Sequence, residues 1–296
     1  MTALGVSRRR ALALVASAPL LSRCIFDRSA VRVGSKNFTE SFVIAEIYAQ
    51  ALERAGLRVT RLFNLGSTQI AIAAMERGDI DLYPEYTGTA LIDVLHLAPV
   101  ASPRTAYEIV ARHFARRYGF VWLAPSPMND SQGLATTRAV TLRYGLVTLS
   151  DCARAASALR LATIQEFLAR PDGLAGLQRF YGGFRFREIR TYDIALKYQA
   201  LLEGRADVAS AFTTDGAIAA DSLAVLRDDR HFWPPYNIAP VARAATLAAR
   251  PQIARVLDAV SPMITDRAAQ TMNAQVENDQ ADPADVAAKF LTRRRE

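Results

Sequence analysis

The chain has 296 residues, 51% hydrophobic and 22% charged, which is enough apolar side chain for packed cores and too much for a disordered segment. Its formal charge of +7 is weighted to one end: Arg8, Arg9, Arg10 and Arg23 fall in the first 23 positions, which hold no acid, leaving 32 bases against 29 acids elsewhere. That near-balance, with the arginines scattered and no aromatic stripe among them, argues against a nucleic-acid-binding surface.

The amino terminus reads as a signal peptide over residues 1–23. Arg8 to Arg10 precede an apolar run, Ala11 to Leu21, that has h-region length and is too short to span a bilayer. Ser7-Arg8-Arg9 is weakly twin-arginine-like. Leu21-Ser22-Arg23-Cys24 resembles a lipoprotein box, although Arg23 stands where a small residue belongs. A lipid anchor at Cys24 is therefore the lesser alternative to plain cleavage. With Cys24 removed or lipidated, Cys152 stands alone, which leaves no disulfide and no cysteine metal cluster. His96, His113 and His231 show no ligand spacing.

From Val31 the pattern becomes regular. Val31-Arg32-Val33 reads as a strand ending at Gly34, and Asn37 with Glu40 as a capping-box helix start. Val43, Ile44, Ile47, Tyr48, Ala51 and Leu52 form one helix face, stopped at Gly56. A strand follows over 57–63. Ser67 then caps a helix that Gly78 ends, and Ile80 to Tyr83 is a third strand. This βαβαβ order predicts a largely parallel sheet with helices on both faces. A helix is expected from Pro103 to Tyr118, and a break at Pro125, Pro127, Asn129 and Gly133. Then come a strand over 186–191, a helix over 192–203 stopped by Gly204, a strand over 206–212, a proline-rich loop over 233–236 and a helical tail from Pro251 to Leu291.

Two stretches echo each other. Gly78, Asp81 and Tyr86 recur in register as Gly204, Asp207 and Phe212. Two similar lobes, each presenting an aromatic at the carboxyl edge of its sheet, would explain this, and that edge is where open α/β sheets bind ligands. The expected fold class is α/β: two βαβ lobes with a ligand cleft and hinge between them. Lobe one would span 31–130 plus 237–296, and lobe two 131–236.

Val33 to Glu40 (VGSKNFTE) and Asp79 to Thr89 (DIDLYPEYTGT), continued by Glu166 to Gly173, Phe212 to Gly216 and Asp228 to Tyr236, closely resemble the glycine betaine/carnitine/choline-binding family of ABC transporters. The resemblance covers nearly all of the chain after the signal. It implies a type II periplasmic-binding-protein fold, extracytoplasmic location, permease subunits as partners, no cofactor and no catalysis. It also implies an aromatic cage for a trimethylammonium group, falling on Tyr86, Phe212 and Tyr236, with Tyr192 a weaker match. Polar clamps fall on Lys36, Thr89 and Arg170. Physical chemistry agrees: a quaternary ammonium has no N–H and must be held by aromatic faces, while a carboxylate suits Arg170 as a fork and Lys36 as a point charge. Two positions depart from the family: Gln132 stands where a cage tyrosine is common, and Phe212 where tyrosine is frequent. Gln132 keeps open a different small polar or cationic solute. An enzyme on the same fold lacks any nucleophile or acid–base constellation, and a transcriptional sensor would need a helix-turn-helix where the signal stands.

Overall fold

The computed structural model describes residues 30–194 and 196–292, so the signal segment and Cys24 lie outside the described residues. Ten strands run through them: β1 (Val31–Gly34), β2 (Val59–Leu62), β3 (Leu82–Tyr86), β4 (Phe120–Trp122), β5 (Gln132–Thr136), β6 (Arg160–Thr163), β7 (Glu188–Thr191), β8 (Val208–Phe212), β9 (Ala224–Val225) and β10 (Ile238–Arg243). They form two five-stranded sheets, ordered β2-β1-β3-β10-β4 and β7-β6-β8-β5-β9. Position by position the two orders are the same pattern, and each sheet forms the centre of one lobe.

The largely parallel sheet expected from sequence is corrected by this topology. In the first sheet β1, β2 and β3 are parallel, but β10 enters antiparallel between β3 and β4. In the second, β6 is parallel to β7 and β8, and β5 lies antiparallel between β8 and β9. Each antiparallel strand is the one reached when the chain crosses between lobes, so no helical crossover precedes it and nothing in the βαβ pattern announces it. Pro240 also disguises β10 as a loop. It sits directly opposite Pro84 of β3, and its carbonyl accepts from the Leu123 N–H at 2.9 Å. The pair is therefore a non-hydrogen-bonded one, in which two missing N–H groups cost the β3–β10 ladder nothing.

The internal echo extends to side chains. Asp81 accepts from the Arg32 backbone N–H (2.9 Å), Nε (3.0 Å) and Nη2 (2.8 Å). Asp207 accepts from the same three groups of Arg160 at 2.8, 2.9 and 3.0 Å. Burial opposes ionisation of Asp81, yet the Arg32 bonds hold its carboxyl below the usual range; the Arg160 bonds do the same for Asp207. Gly78 and Gly204 both take left-handed φ values, 75° and 68°, at their helix ends.

The helix Thr39–Arg54 starts without the expected capping box: Phe38 is its N-cap residue and makes no side-chain cap bond, and Glu40 turns inward instead. Ser67 stands at its expected cap position but also makes no side-chain bond. The carboxy-terminal helices Gln252–Val260, Asp266–Glu277 and Pro283–Thr292 return to pack on Thr39–Arg54, where Gln50 Nε2 donates to the Ala284 carbonyl at 2.8 Å. The two segments that cross between lobes run side by side. Asn129 and Asn237 form an antiparallel bridge, and the Tyr236 N–H donates to Asn129 Oδ1 at 2.6 Å. Among the described residues, no helix is long and apolar enough to cross a membrane.

Candidate functional site

Tyr86 and Phe212 are the last residues of β3 and β8, so the two sheets deliver them at their carboxyl edges. Tyr86 is buried (3% exposed), and its hydroxyl donates to Glu40 Oε1 at 2.6 Å. Lys36, just beyond β1, places its ammonium 4.6 Å from the Tyr86 ring centre and 5.5 Å from that of Phe38. Its charge is already met: Nζ donates to Glu85 Oε1 at 2.8 Å, in a pair with almost no exposure, and to Thr68 Oγ1 at 3.3 Å. The sequence expectation treated Lys36 as a free point charge for a ligand carboxylate, and missed Glu85 as its counterion.

Tyr236 reaches the same place from the returning segment. It is also 3% exposed. Its ring lies so close to the Gly88 backbone that a Cβ there would sit 2.4 Å from Tyr236 Cδ1. Thr87 fixes the approach by donating its N–H to the Asn237 carbonyl (3.0 Å) and its Oγ1 to the Pro235 carbonyl (3.0 Å). Tyr236 thus stands against a residue two positions along the chain from the other tyrosine that the resemblance assigns to the cage. Gly88→Ala is expected to drive the Tyr236 ring aside and weaken ligand binding by about tenfold, with the fold retained; calorimetric titration of the variant checks this.

Asp172 joins three of the expected site residues. It accepts from the Tyr236 hydroxyl, from Gln132 Nε2 at 2.8 Å, and from Arg170 through Nε (2.8 Å) and Nη2 (2.9 Å). Arg170 Nη1 then reaches Asp93 in the other lobe. Burial opposes the guanidinium charge, but the Asp172 bonds and both carboxylates raise its pKa further. Burial also pushes Asp93 up to about 6 against the pull of Arg170. In the sequence Asp172 is marked only by lying within the stretch Glu166 to Gly173 that carries the resemblance, and nothing local to Asp93 marks it.

In the second lobe Gln132 pairs directly with Phe212 across β5 and β8. Both line a pocket with Arg170, Ile164, Phe167 and Ser210. The ring of Phe212 carries a second internal cation, the fully buried Lys197, whose ammonium lies 5.2 Å from its centre and 4.6 Å from that of Tyr198. Lys197 pairs with Asp215 at 3.0 Å, which also takes the Tyr198 hydroxyl. Two expected residues contribute less. Thr89 is half-buried in the turn after β3. Tyr192 does not open a helix, because the helix begins at Leu196; its ring packs on the small-residue cluster around Ala135 and Ala209.

Acids outnumber bases where the lobes meet. Glu40 accepts from Asn273 Nδ2 at 2.9 Å, and Thr214 Oγ1 donates to Asp130 at 2.6 Å. Burial raises the pKa of both Glu40 and Asp130; the charge of Glu40 pushes Asp130 higher, and that of Asp215 acts on both. Glu277 is pushed up to about 7 by burial and by Asp215, with Lys197 opposing. A carboxyl raised this way penalises the folded state when ionised, so the penalty grows as pH climbs from about 4.5 through 7 and is relieved below. Glu277→Gln should accordingly raise the melting temperature at pH 8 and leave it unchanged near pH 4.5; melts at both values decide. Among the described residues no group of His, Cys, Asp and Glu is arranged to hold a metal, and burial takes the Cys152 thiol up to about 12, which makes it a poor nucleophile.

The chain matches the family described as the substrate-binding domain of the ABC-type glycine betaine transport system over residues 29–293. It is 35% identical to a glycine-betaine-binding protein of Pseudomonas aeruginosa over 287 residues, covering 94% of this chain and 92% of that protein. It is 29% identical to the ergothioneine transport permease/ergothioneine binding protein EgtU of Helicobacter pylori, covering 95% of this chain and 51% of that one. A crystal structure described as a glycine betaine/carnitine/choline ABC transporter superposes with a TM-score of 0.80 at 29% identity, covering 90% of this chain and 98% of the other.

Proposed function

From the premise that this chain belongs to the family of substrate-binding domains of ABC-type glycine betaine transport systems, we propose that it captures a quaternary-ammonium solute between its lobes and presents it to permease subunits. The family is one of transport binding proteins, not of enzymes, and substrate-binding proteins of ABC importers are extracytoplasmic. We assign export to residues 1–23, with Cys24 the position at which a lipid would attach. We place the lobe boundaries at 130/131 and 236/237, where the Asn129–Asn237 bridge joins the crossing segments.

The observation that carries the reading is the approach of Tyr236 to the turn that follows Tyr86. Tyr236 packs on Gly88, two residues beyond Tyr86, and the hydroxyls of both tyrosines end on buried carboxyl groups. Electron-rich faces backed by negative charge suit a cation that cannot donate hydrogen bonds. The internal ammonium ions of Lys36 and Lys197, each seated over such rings, use the same attraction. Phe212 would supply the second-lobe wall and Thr89 a polar contact, while Lys36 and Arg170, already paired with Glu85 and Asp172, would act mainly through those pairs. Closure would be a hinge motion at the two crossing segments, favoured by a ligand that touches both lobes.

A second reading keeps the cleft and changes the solute. Gln132, tied to Asp172 at 2.8 Å, offers a carboxamide where an aromatic wall is common in the family, and one relative is named for ergothioneine. Calorimetric titration with glycine betaine, choline, carnitine, tetramethylammonium and ergothioneine separates the two. Binding of any of the five supports the cation cage, since ergothioneine also carries a trimethylammonium group, and binding of ergothioneine alone moves only the identity of the solute to the second reading. Failure of all five removes both.

A further inference from the structure

The hydroxyl groups of the two central tyrosines end on buried carboxylates. Tyr86 donates to Glu40, near the start of the helix Thr39–Arg54. Tyr236 donates to Asp172, in the turn between the helices Gln165–Ala169 and Leu174–Tyr181. Each carboxylate is itself fixed from behind: Glu40 by Asn273 Nδ2 at 2.9 Å, and Asp172 by the Arg170 fork and by Gln132. The Trp233 indole N–H, bonded to the Asp172 backbone carbonyl at 2.8 Å, locks that turn. Both acids are buried.

Satisfying a buried hydroxyl needs only one acceptor of any kind. Here both acceptors are carboxyl groups, and the two come from opposite lobes. A tyrosine ring has a negative face and a positive edge, so its attraction for a cation depends on which of them is presented. The hydroxyl oxygen lies on the axis about which the ring turns, but the phenolic O–H prefers the ring plane, so an acceptor fixed to one side of that axis favours one ring orientation. A hydroxyl donating to a carboxylate also feeds electron density into the ring, which deepens the potential over its face. Phe212, with no hydroxyl, has no such grip.

We propose that Glu40 and Asp172 are positioning residues of the cation site, each orienting and polarising one tyrosine ring through its hydroxyl; this rests on the reading that Tyr86 and Tyr236 hold a quaternary ammonium. Neither acid touches the ligand. Their effect passes through the ring, so it must disappear when the hydroxyl is removed.

The experiment is a pair of double-mutant cycles, E40Q with Y86F and D172N with Y236F, each read by the dissociation constant of tetramethylammonium, a probe with no polar end. Each single change is expected to weaken binding by about threefold to tenfold, and each double variant by no more than its worse single. Losses that multiply in the doubles, or single variants that melt earlier but bind unchanged, overturn the proposal, because a merely structural role would give one or the other. Should D172N fail to fold, the Glu40 cycle decides alone. A wild-type protein that binds no quaternary ammonium overturns the functional reading itself, whereas one that binds it with multiplying losses overturns only the positioning role.

Discussion

Tyr86→Ala is expected to weaken quaternary-ammonium binding by at least about tenfold, measured as the dissociation constant of tetramethylammonium or choline. The size follows from what the ring does: a desolvated cation–π contact contributes about 2 kcal/mol, and tenfold corresponds to about 1.4 kcal/mol. Tyr86 is also a core residue, packed near Phe38 with ring centres 6.1 Å apart, so the truncation leaves a cavity and costs stability as well. Tyr86→Phe separates the two effects. It keeps the ring and the packing, giving up only the bond to Glu40, and should bind within about tenfold of wild type. A Tyr86→Ala protein that is folded and binds unchanged would remove the aromatic cage, whatever the family. The partner experiment at Tyr236 carries the same expectation, because its ring stands against Gly88, two residues beyond Tyr86.

Much of this site was legible in the sequence because its aromatics sit at strand ends, and strand ends are announced by glycine stops and hydrophobic runs. Tyr86 and Phe212 fall at matching positions of β3 and β8 for that reason, and Asp81 and Asp207 prove to play the same role in the two lobes. What escaped was everything that depends on crossing between lobes. β5 and β10 follow no helix, and β10 contains a proline, so a reading built on βαβ units passed over both. The counterions escaped for a similar reason. Lys36 and Glu85 are 49 positions apart, and Arg170 and Asp93 are 77 apart, and single-sequence periodicity says nothing about such distances. Glu40 was read as a capping residue because three-residue spacing from Asn37 suggests one; burial against Tyr86 and Asn273 takes it elsewhere. Tyr192 was placed at a helix start that the chain delays to Leu196.

Arg170→Ala should be the most damaging single change at the lobe interface. Arg170 is the only cation bonded to Asp172, and it is also Asp93's ion-pair partner, among the described residues. Removing one member of a buried ionic cluster leaves the others uncompensated, at a cost of about 3 kcal/mol, readable by denaturant unfolding at pH 7.5. The pH dependence gives the mechanism away. Asp93 already has its carboxyl raised to about 6 by burial, and loss of the guanidinium beside it raises it further. A carboxyl with a folded-state pKa above its unfolded one destabilises the fold when ionised, and protonation relieves that penalty as pH falls through the folded value. The stability deficit of Arg170→Ala should therefore shrink between pH 7.5 and pH 5, whereas a deficit due only to lost packing would not. Ligand titrations of the same variant settle the second role. If Arg170 serves a ligand carboxylate, as the family resemblance implies, the affinity loss falls on glycine betaine and carnitine and spares tetramethylammonium. If its contact with Asp93 holds the lobes together, all three weaken alike, because closure is common to every ligand. The geometry favours the second outcome: the fork that a ligand carboxylate would use is already filled by Asp172 at 2.8 and 2.9 Å.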